Sequence, residues 1–143
     1  MAAQWHPSLN DRTPEQVTCG SSRGVWWLCK KCQCGHDHTW RTTVTKRAQQ
    51  GHGCPICAGS KPCRCNSLAA IHHDTVQQEW DYELNTLSPE DLLPQSNVVV
   101  HWLCGLHLPH YCWQTSPNKR FCRVGTGCPE CARQRNRKTR TSA

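Results

Sequence analysis

The chain has little of the material from which ordinary protein cores are made. Its 143 residues include one Met, one Phe and two Tyr, an inventory that argues against one broad aliphatic core. No apolar run approaches the roughly 20 residues that a membrane-spanning helix needs, so no membrane partner is expected. The first 25 residues lack the apolar stretch of a secretory leader, and Asp11 and Glu15 make them a poor mitochondrial transit peptide. Acids are scarce as well, ten in all. None lies in a His-Glu-x-x-His or His-x-Glu arrangement, so the carboxylate base that accompanies a catalytic zinc is missing. Asp37-His38 has a superficial likeness to a His-Asn-His nuclease, without the further metal-binding histidine on a following helix. No enzyme activity, catalytic residue or small-molecule substrate is expected.

What the chain does have is thirteen Cys, nine His and seven Trp. An odd cysteine count without a leader argues against a secreted disulfide scaffold. Four of the cysteines fall in Cys-Pro-x-Cys pairs behind glycines, at Gly51-His52-Gly53-Cys54-Pro55-Ile56-Cys57 and Gly125-Thr126-Gly127-Cys128-Pro129-Glu130-Cys131. Glycine lets the backbone bend until both sulfurs point at one ion, so each pair is half of a tetrahedral zinc site. The other halves lie upstream, at Val25-Trp26-Trp27-Leu28-Cys29 and Val100-His101-Trp102-Leu103-Cys104. Thiols kept for zinc imply a reducing, intracellular compartment, with the mitochondrion placed ahead of nucleus and cytoplasm.

The halves are copies. An offset of 75 aligns Trp5 with Trp80, Asn10 with Asn85, Pro14 with Pro89, Ser21 with Ser96, Trp27 with Trp102 and Cys29 with Cys104. A slightly smaller offset then pairs Trp40 with Trp113, Arg47 with Arg120, Cys54 with Cys128 and Cys57 with Cys131. Units of roughly 60 to 75 residues bury too little to stand without a staple, which the metal supplies. The expected layout is a zinc module over 1–60, a connector over 61–79, a second module over 80–132 and a basic tail over 133–143.

These residues resemble the tandem "probable zinc-ribbon" repeats, treble-clef-like modules without an established common activity. The resemblance rests on Asn66-Ser67-Leu68-Ala69, Glu79-Trp80, Asn85, Ser88-Pro89-Glu90-Asp91-Leu92, Ser96-Asn97, Trp102-Leu103-Cys104 and the Gly-x-Gly-Cys-Pro-x-Cys motif. It implies a small, metal-stabilised α+β fold of two tandem treble-clef-like zinc modules, with short β-hairpins and short helices. The first unit starts part-way through this pattern, so the chain is expected to be a processed or truncated product. Thr13-Pro14-Glu15 and Ser88-Pro89-Glu90 each place a hydroxyl before a first-turn proline and predict a helical turn. Leu68, Ile71, Val76 and Trp80 predict one long connecting helix over 67–81.

Two Zn2+ ions are expected. The first site takes Cys29, Cys32, Cys54 and Cys57, with Cys34 the rival of Cys32 and with His36 and His38 within reach. The second takes Cys104, His107, Cys128 and Cys131, with His110 and Cys112 as alternates to His107. Cys19, Cys63, Cys65 and Cys122 are read as plain thiols, or Cys63 and Cys65 as part of a third site with Cys19 or a histidine of His72-His73. Trp27, Trp40, Trp102 and Trp113 are read as core plugs, and Trp26, beside Lys30 and Lys31, as an exposed ring for a base or a protein.

The formal charge of +7 is uneven: residues 61–100 carry two Lys/Arg against six acids, residues 101–143 eight against one. Lys46-Arg47 and Lys119-Arg120 recur at equivalent positions, and Arg133, Arg135, Arg137, Lys138 and Arg140 crowd the tail, which should be helical at its base and frayed beyond. Such a distribution points to phosphate, and the lack of a base-reading helix favours structured RNA over a DNA sequence. The expected role is a structural RNA-binding component of a ribonucleoprotein, contacting rRNA and neighbouring proteins, with a mitochondrial ribosome as host. DNA or chromatin binding and a protein-interaction adaptor are the alternatives. Arg47 and Arg120 could instead neutralise their own thiolate clusters. The acidic stretch of Asp81, Glu83, Glu90 and Asp91 should face away from phosphate.

Overall fold

The computed structural model describes residues 2–30, 35–106, 111–121, 125 and 127–140, with 111 and 138–140 as backbone alone. The chain divides into two compact units, Met1–Lys61 and Pro62–Ala143. Each is built on a two-stranded antiparallel sheet: β1 (Gly24–Cys29) with β2 (His38–Thr43), and β3 (Val100–Cys104) with β4 (Tyr111–Thr115). Valine and tryptophan alternate with partly exposed residues along β1 and β3, so one face of each hairpin is apolar. The register places Trp27 opposite Trp40 and Trp102 opposite Trp113, so the repeat seen in the sequence is a repeat of the fold.

The open edge of each sheet is closed by one side chain. Asn10 Nδ2 donates to the Trp26 carbonyl at 2.8 Å while its Oδ1 accepts from the Trp26 N–H at 2.8 Å. Asn85 does the same to His101 at 2.8 and 2.9 Å. A primary amide here imitates a third strand, pairing the Trp26 and His101 N–H groups and adding a second donor to carbonyls that also accept from His6 and Asp81 N–H. Trp5 and Trp80 bridge beyond it to Trp27 and Trp102, packing edge to face with centroids 5.5 and 5.3 Å apart.

The two proline turns form, as 3-10 rather than α turns, at Pro14–Gln16 and Pro89–Asp91. A single connecting helix does not. The segment breaks into α2 (Leu68–Ile71) and α3 (His73–Glu79), because His72 leaves helical geometry at φ −121°, ψ 42° and stacks its ring 3.6 Å from that of Phe121. The break sends Leu68 and Val76 into the second core and leaves Ile71 exposed. Asp81 is not a solvent-facing acid either: it is buried, and its Oδ1 accepts from the N–H groups of Glu83 and Leu84 at 3.0 and 2.9 Å.

After β2 and β4 come the short helices α1 (Val44–Ala48) and α4 (Pro117–Phe121). The Cys-Pro-x-Cys turns then diverge. Behind Cys57, Gly59 adopts φ +68°, Ser60 N–H reaches the Pro55 carbonyl at 2.8 Å, and Gly59 N–H reaches Ile56 at 2.9 Å. That is a glycine stop after one turn. Where Gly59 stands in the first unit the second has Arg133, and α5 (Pro129–Arg140) runs for 12 residues, farther than a frayed tail would. Gly59→Ala should therefore destabilise the first unit by about 1 kcal/mol through its left-handed φ alone. Gly53→Ala, a position without that constraint, should leave thermal melting nearly unchanged.

Candidate metal centres

The apolar face of each hairpin ends at a cysteine, and the glycine-led turn brings two more beside it. Gly51 and Gly125 hold φ of +67° and +47°, a region that side chains with a Cβ rarely enter, and this reverses the chain just ahead of each pair. Cys29, Cys54 and Cys57 gather in the first unit and Cys104, Cys128 and Cys131 in the second. Cys29 Sγ lies 3.7 Å from Cys57 Sγ, and Cys104 Sγ 3.5 Å from Cys131 Sγ. A disulfide needs sulfurs at about 2.05 Å. Zinc at about 2.3 Å from each thiolate sets tetrahedral edges of roughly 3.8 Å, which these separations approach.

His38 lies beside two cysteines of the first triplet. It is directly opposite Cys29 in the β1–β2 register, is 3% exposed, and holds Nδ1 at 3.7 Å from Cys54 Sγ and 3.6 Å from Cys57 Sγ. Cys32 and Cys34 lie outside the described residues, so His38 stands as a candidate for the fourth position beside the all-cysteine set of Cys29, Cys32, Cys54 and Cys57. Sequence spacing favoured Cys32 because knuckle ligands are usually neighbours in the chain. The pairing that carries His38 is set by strand register instead. The His38-Thr39-Trp40 step was its signal, since the buried Trp40 fixes which strand face His38 shares.

The second unit cannot use the same device, because Tyr111 occupies the register position of His38. His107 and His110 lie outside the described residues. Cys112 is excluded as a ligand by strand alternation: Val100, Trp102 and Cys104 point to the core, and Cys112, opposite Leu103, points to the other face. There its Sγ lies 3.4 Å from His101 Nδ1.

Behind each cluster, two tryptophans enclose an arginine. Arg47 lies 5.1 Å from the ring centroids of both Trp27 and Trp40, and Arg120 5.4 and 5.2 Å from those of Trp102 and Trp113. Arg47 donates to the His52 carbonyl at 2.7 Å, and Arg120 pairs with Glu79. These guanidiniums are committed to their own modules, so the expectation that Arg47 and Arg120 contact RNA is corrected. Their planar, weakly hydrated cations suit an aromatic sandwich better than an ammonium would. Lys46 and Lys119, one residue earlier, are exposed. All four tryptophans are buried as core plugs, and Trp26 is half-buried rather than exposed.

A family model described as a probable treble clef zinc finger domain matches residues 1–60 and 76–134. The chain belongs to that family. No curated protein matches it. Each treble clef binds zinc through a hairpin end and the turn that follows its paired glycines. Of the remaining thiols, Cys63 and Cys65 hold their sulfurs 2.9 Å apart, Cys19 is exposed, and Cys122 lies outside the described residues.

Zinc at these sites replaces protons on crowded thiols. Burial, then the neighbouring Cys54 and Cys29, pushes the Cys57 thiol up to about 12. Burial and the neighbouring Cys104 and Cys128 push Cys131 up to about 11. Such thiols keep their protons at neutral pH, so Cys57 and Cys131 each release one as the metal binds. Zinc affinity, and the stability linked to it, should rise with pH throughout the range below these values and fall on acidification. Chelator competition at stepped pH measures the slope.

Substitutions separate the ligand assignments. Cys54→Ser or Cys128→Ser should unfold its own treble clef, because structural zinc contributes about 10 kcal/mol or more in small domains. His38→Ala should lower the zinc content by one equivalent, while Cys32→Ser should retain it. Elemental analysis with melting checks both, and the reverse pattern would return the fourth position to Cys32.

Proposed function

We propose that the chain is a non-enzymatic, zinc-stabilised RNA-binding component of a large ribonucleoprotein, with a mitochondrial ribosome as its host class. The observation that carries this reading is α5. Its first turn contains Cys131, so the metal roots it, and Arg133, Arg135 and Arg137 stand exposed along it, with Lys138 and Arg140 following in sequence. Glu130 is its one acid, 3.5 Å from Arg133. Arg133 and Arg137 lie one helical turn apart on one face, and Arg135 lies across the helix from them.

A rooted basic helix presents its charge at fixed spacing to phosphates, and arginine matches a phosphate with paired N–H groups. Because Trp27, Trp40, Trp102 and Trp113 are spent on the cores, no row of rings is left for base stacking among them. The recognition this supports is of backbone and shape, the mode by which folded RNA is read. Lys46 and Lys119 add one exposed cation on each module.

Replacing Arg133, Arg135 and Arg137 together by Gln should leave zinc content and melting unchanged. It should also reduce the salt slope of binding to a structured rRNA fragment by roughly 2 to 3. Arg47→Gln, by contrast, should lower the first module's stability with little change in that slope. An unaltered slope in the triple variant would remove α5 from the interface. Equal or tighter binding to duplex DNA would overturn the RNA assignment.

A further inference from the structure

Cys63 and Cys65 belong to neither treble clef: the family match covers 1–60 and 76–134, and both ligand triplets are built without them. Their sulfurs are 2.9 Å apart, against 3.5 Å for Cys104 with Cys131 and 3.7 Å for Cys29 with Cys57. A zinc ion would hold two thiolates roughly 3.8 Å apart, and a disulfide brings them to about 2.05 Å. The pair therefore stands nearer to a covalent bond than the metal clusters do, and about 1 Å of approach would close it.

The local chain fixes this approach. Cys63 N–H donates to Asn66 Oδ1 at 2.6 Å, and the Cys63 carbonyl accepts from the Asn66 and Ser67 N–H groups at 3.3 and 3.0 Å. Cys65 N–H donates to Cys63 Sγ at 3.4 Å, which holds that sulfur against the turn. Ser67 is buried and caps α2, its Oγ accepting from Ala70 N–H at 3.2 Å. With the backbone around Arg64 tied down by Asn66 and Ser67, closing the sulfurs falls mainly to side-chain rotation. Cys65 is exposed and Cys63 half-buried, so an incoming reagent meets Cys65 first. Arg64, exposed, stands between them in sequence and adds a cation to the turn.

We infer that Cys63-Arg64-Cys65 is a thiol–disulfide exchange site that reacts with an anionic low-molecular-weight disulfide of the oxidised glutathione class. The Cys65 thiolate attacks one sulfur of that disulfide; the old S–S bond breaks, and the second half leaves as a thiolate that takes up the proton Cys65 gave up. Cys63, having lost its own proton to solvent, then attacks Cys65 Sγ, forms the intrachain bond and expels the first half as a thiolate, which is protonated in turn. Two protein thiols are oxidised and one small disulfide is reduced to two thiols, so no other oxidant enters. A ring closed across a single residue is strained, and strained, exposed disulfides are the readily reduced, regulatory ones rather than permanent staples. The same pool of small thiols therefore reopens it. The chain thus carries a redox-sensitive joint ahead of α2 that draws on neither triplet of zinc ligands. The exposed Arg64 guanidinium favours an anionic reagent over a neutral one.

The test exposes the intact, reduced, zinc-loaded chain to oxidised glutathione and maps the disulfides by mass spectrometry. A Cys63–Cys65 bond is expected, with loss of two hydrogens, unchanged zinc content and full reversal by dithiothreitol. Cys63→Ser should stop at a glutathione adduct on Cys65, and Cys65→Ser should slow reaction at Cys63 about tenfold or more. Cys19, exposed but with Cys29 as its nearest cysteine in sequence, should give an adduct and no intrachain bond. Arg64→Glu should slow oxidation by oxidised glutathione several-fold and leave the rate with neutral hydroxyethyl disulfide unchanged. Failure of the Cys63–Cys65 bond to form overturns the proposal. So does a third zinc equivalent that is lost from the Cys63→Ser, Cys65→Ser double variant, since the pair would then be a metal site. If Arg64→Glu changes both rates alike, or neither, the anionic class of substrate is overturned.

Discussion

The bond on which each module depends is that between zinc and thiolate, because it closes a long loop that little else would close. Cys29 and Cys57 are 28 residues apart, Cys104 and Cys131 27, and the metal joins the end of a hairpin to the first turn beyond the glycines. Without it, the first core consists of Val25, Trp27, Trp40 and Val44 with part of Trp5, Val17 and Ile56. Such a cluster offsets only a fraction of the conformational entropy of some sixty residues. The cysteines are therefore part of the core and of its closure at once. Strand alternation puts Cys29 on the same face as Trp27 and Val25, so folding the hairpin already presents the first ligand.

Around the metal the modules add two further devices, each built from one residue. Asparagine closes the sheet edge, and arginine fills the gap between two indoles. The second device has been completed differently in the two copies. Arg120 has a carboxylate partner in Glu79, at the end of α3, whereas Arg47 uses the His52 carbonyl of the loop that leads to its own cysteines. A charge held between rings needs a polar partner to offset its desolvation, and either a carboxylate or a backbone carbonyl provides one. The first module thereby couples its arginine to the ligand loop. The second couples it to α3.

What could be read from the sequence was what is local in it. The cysteine pairs, the glycines that reverse the chain before them, the proline turns and the tryptophan plugs all follow from chemistry within a few residues. The offset of the repeat extended that reading across the chain. His38 was harder, because its claim rests on lying across a strand from Cys29 rather than near it in sequence. Arg47 and Arg120 were harder still: a cation beside an exposed lysine reads as a phosphate contact until the register shows which face carries Trp27 and Trp40. The predicted long helix failed at His72, where packing on Phe121 outweighs local propensity. In α5 the opposite happened, and a tail that composition alone would leave frayed is nucleated by its metal-bound first turn.

Internal duplication also works as a control, since two copies of one scaffold share whatever the fold requires. Trp27 and Trp102, Asn10 and Asn85, Arg47 and Arg120, and the cysteine triplets are common to both, and all of them hold the structure up. The differences gather at the margins. Gly59 ends a helix where Arg133 continues one. Trp26 faces Arg41 across its hairpin where His101 faces Gln114. None of these positions is needed to build a clef, because the other copy builds one without it. A residue free of structural duty can respond to a partner, so the proposed RNA contact is to be sought at such margins, the basic helix of the second module among them. A role for either copy's shared positions would have to act through the fold, and would then be lost from both modules by the same substitution.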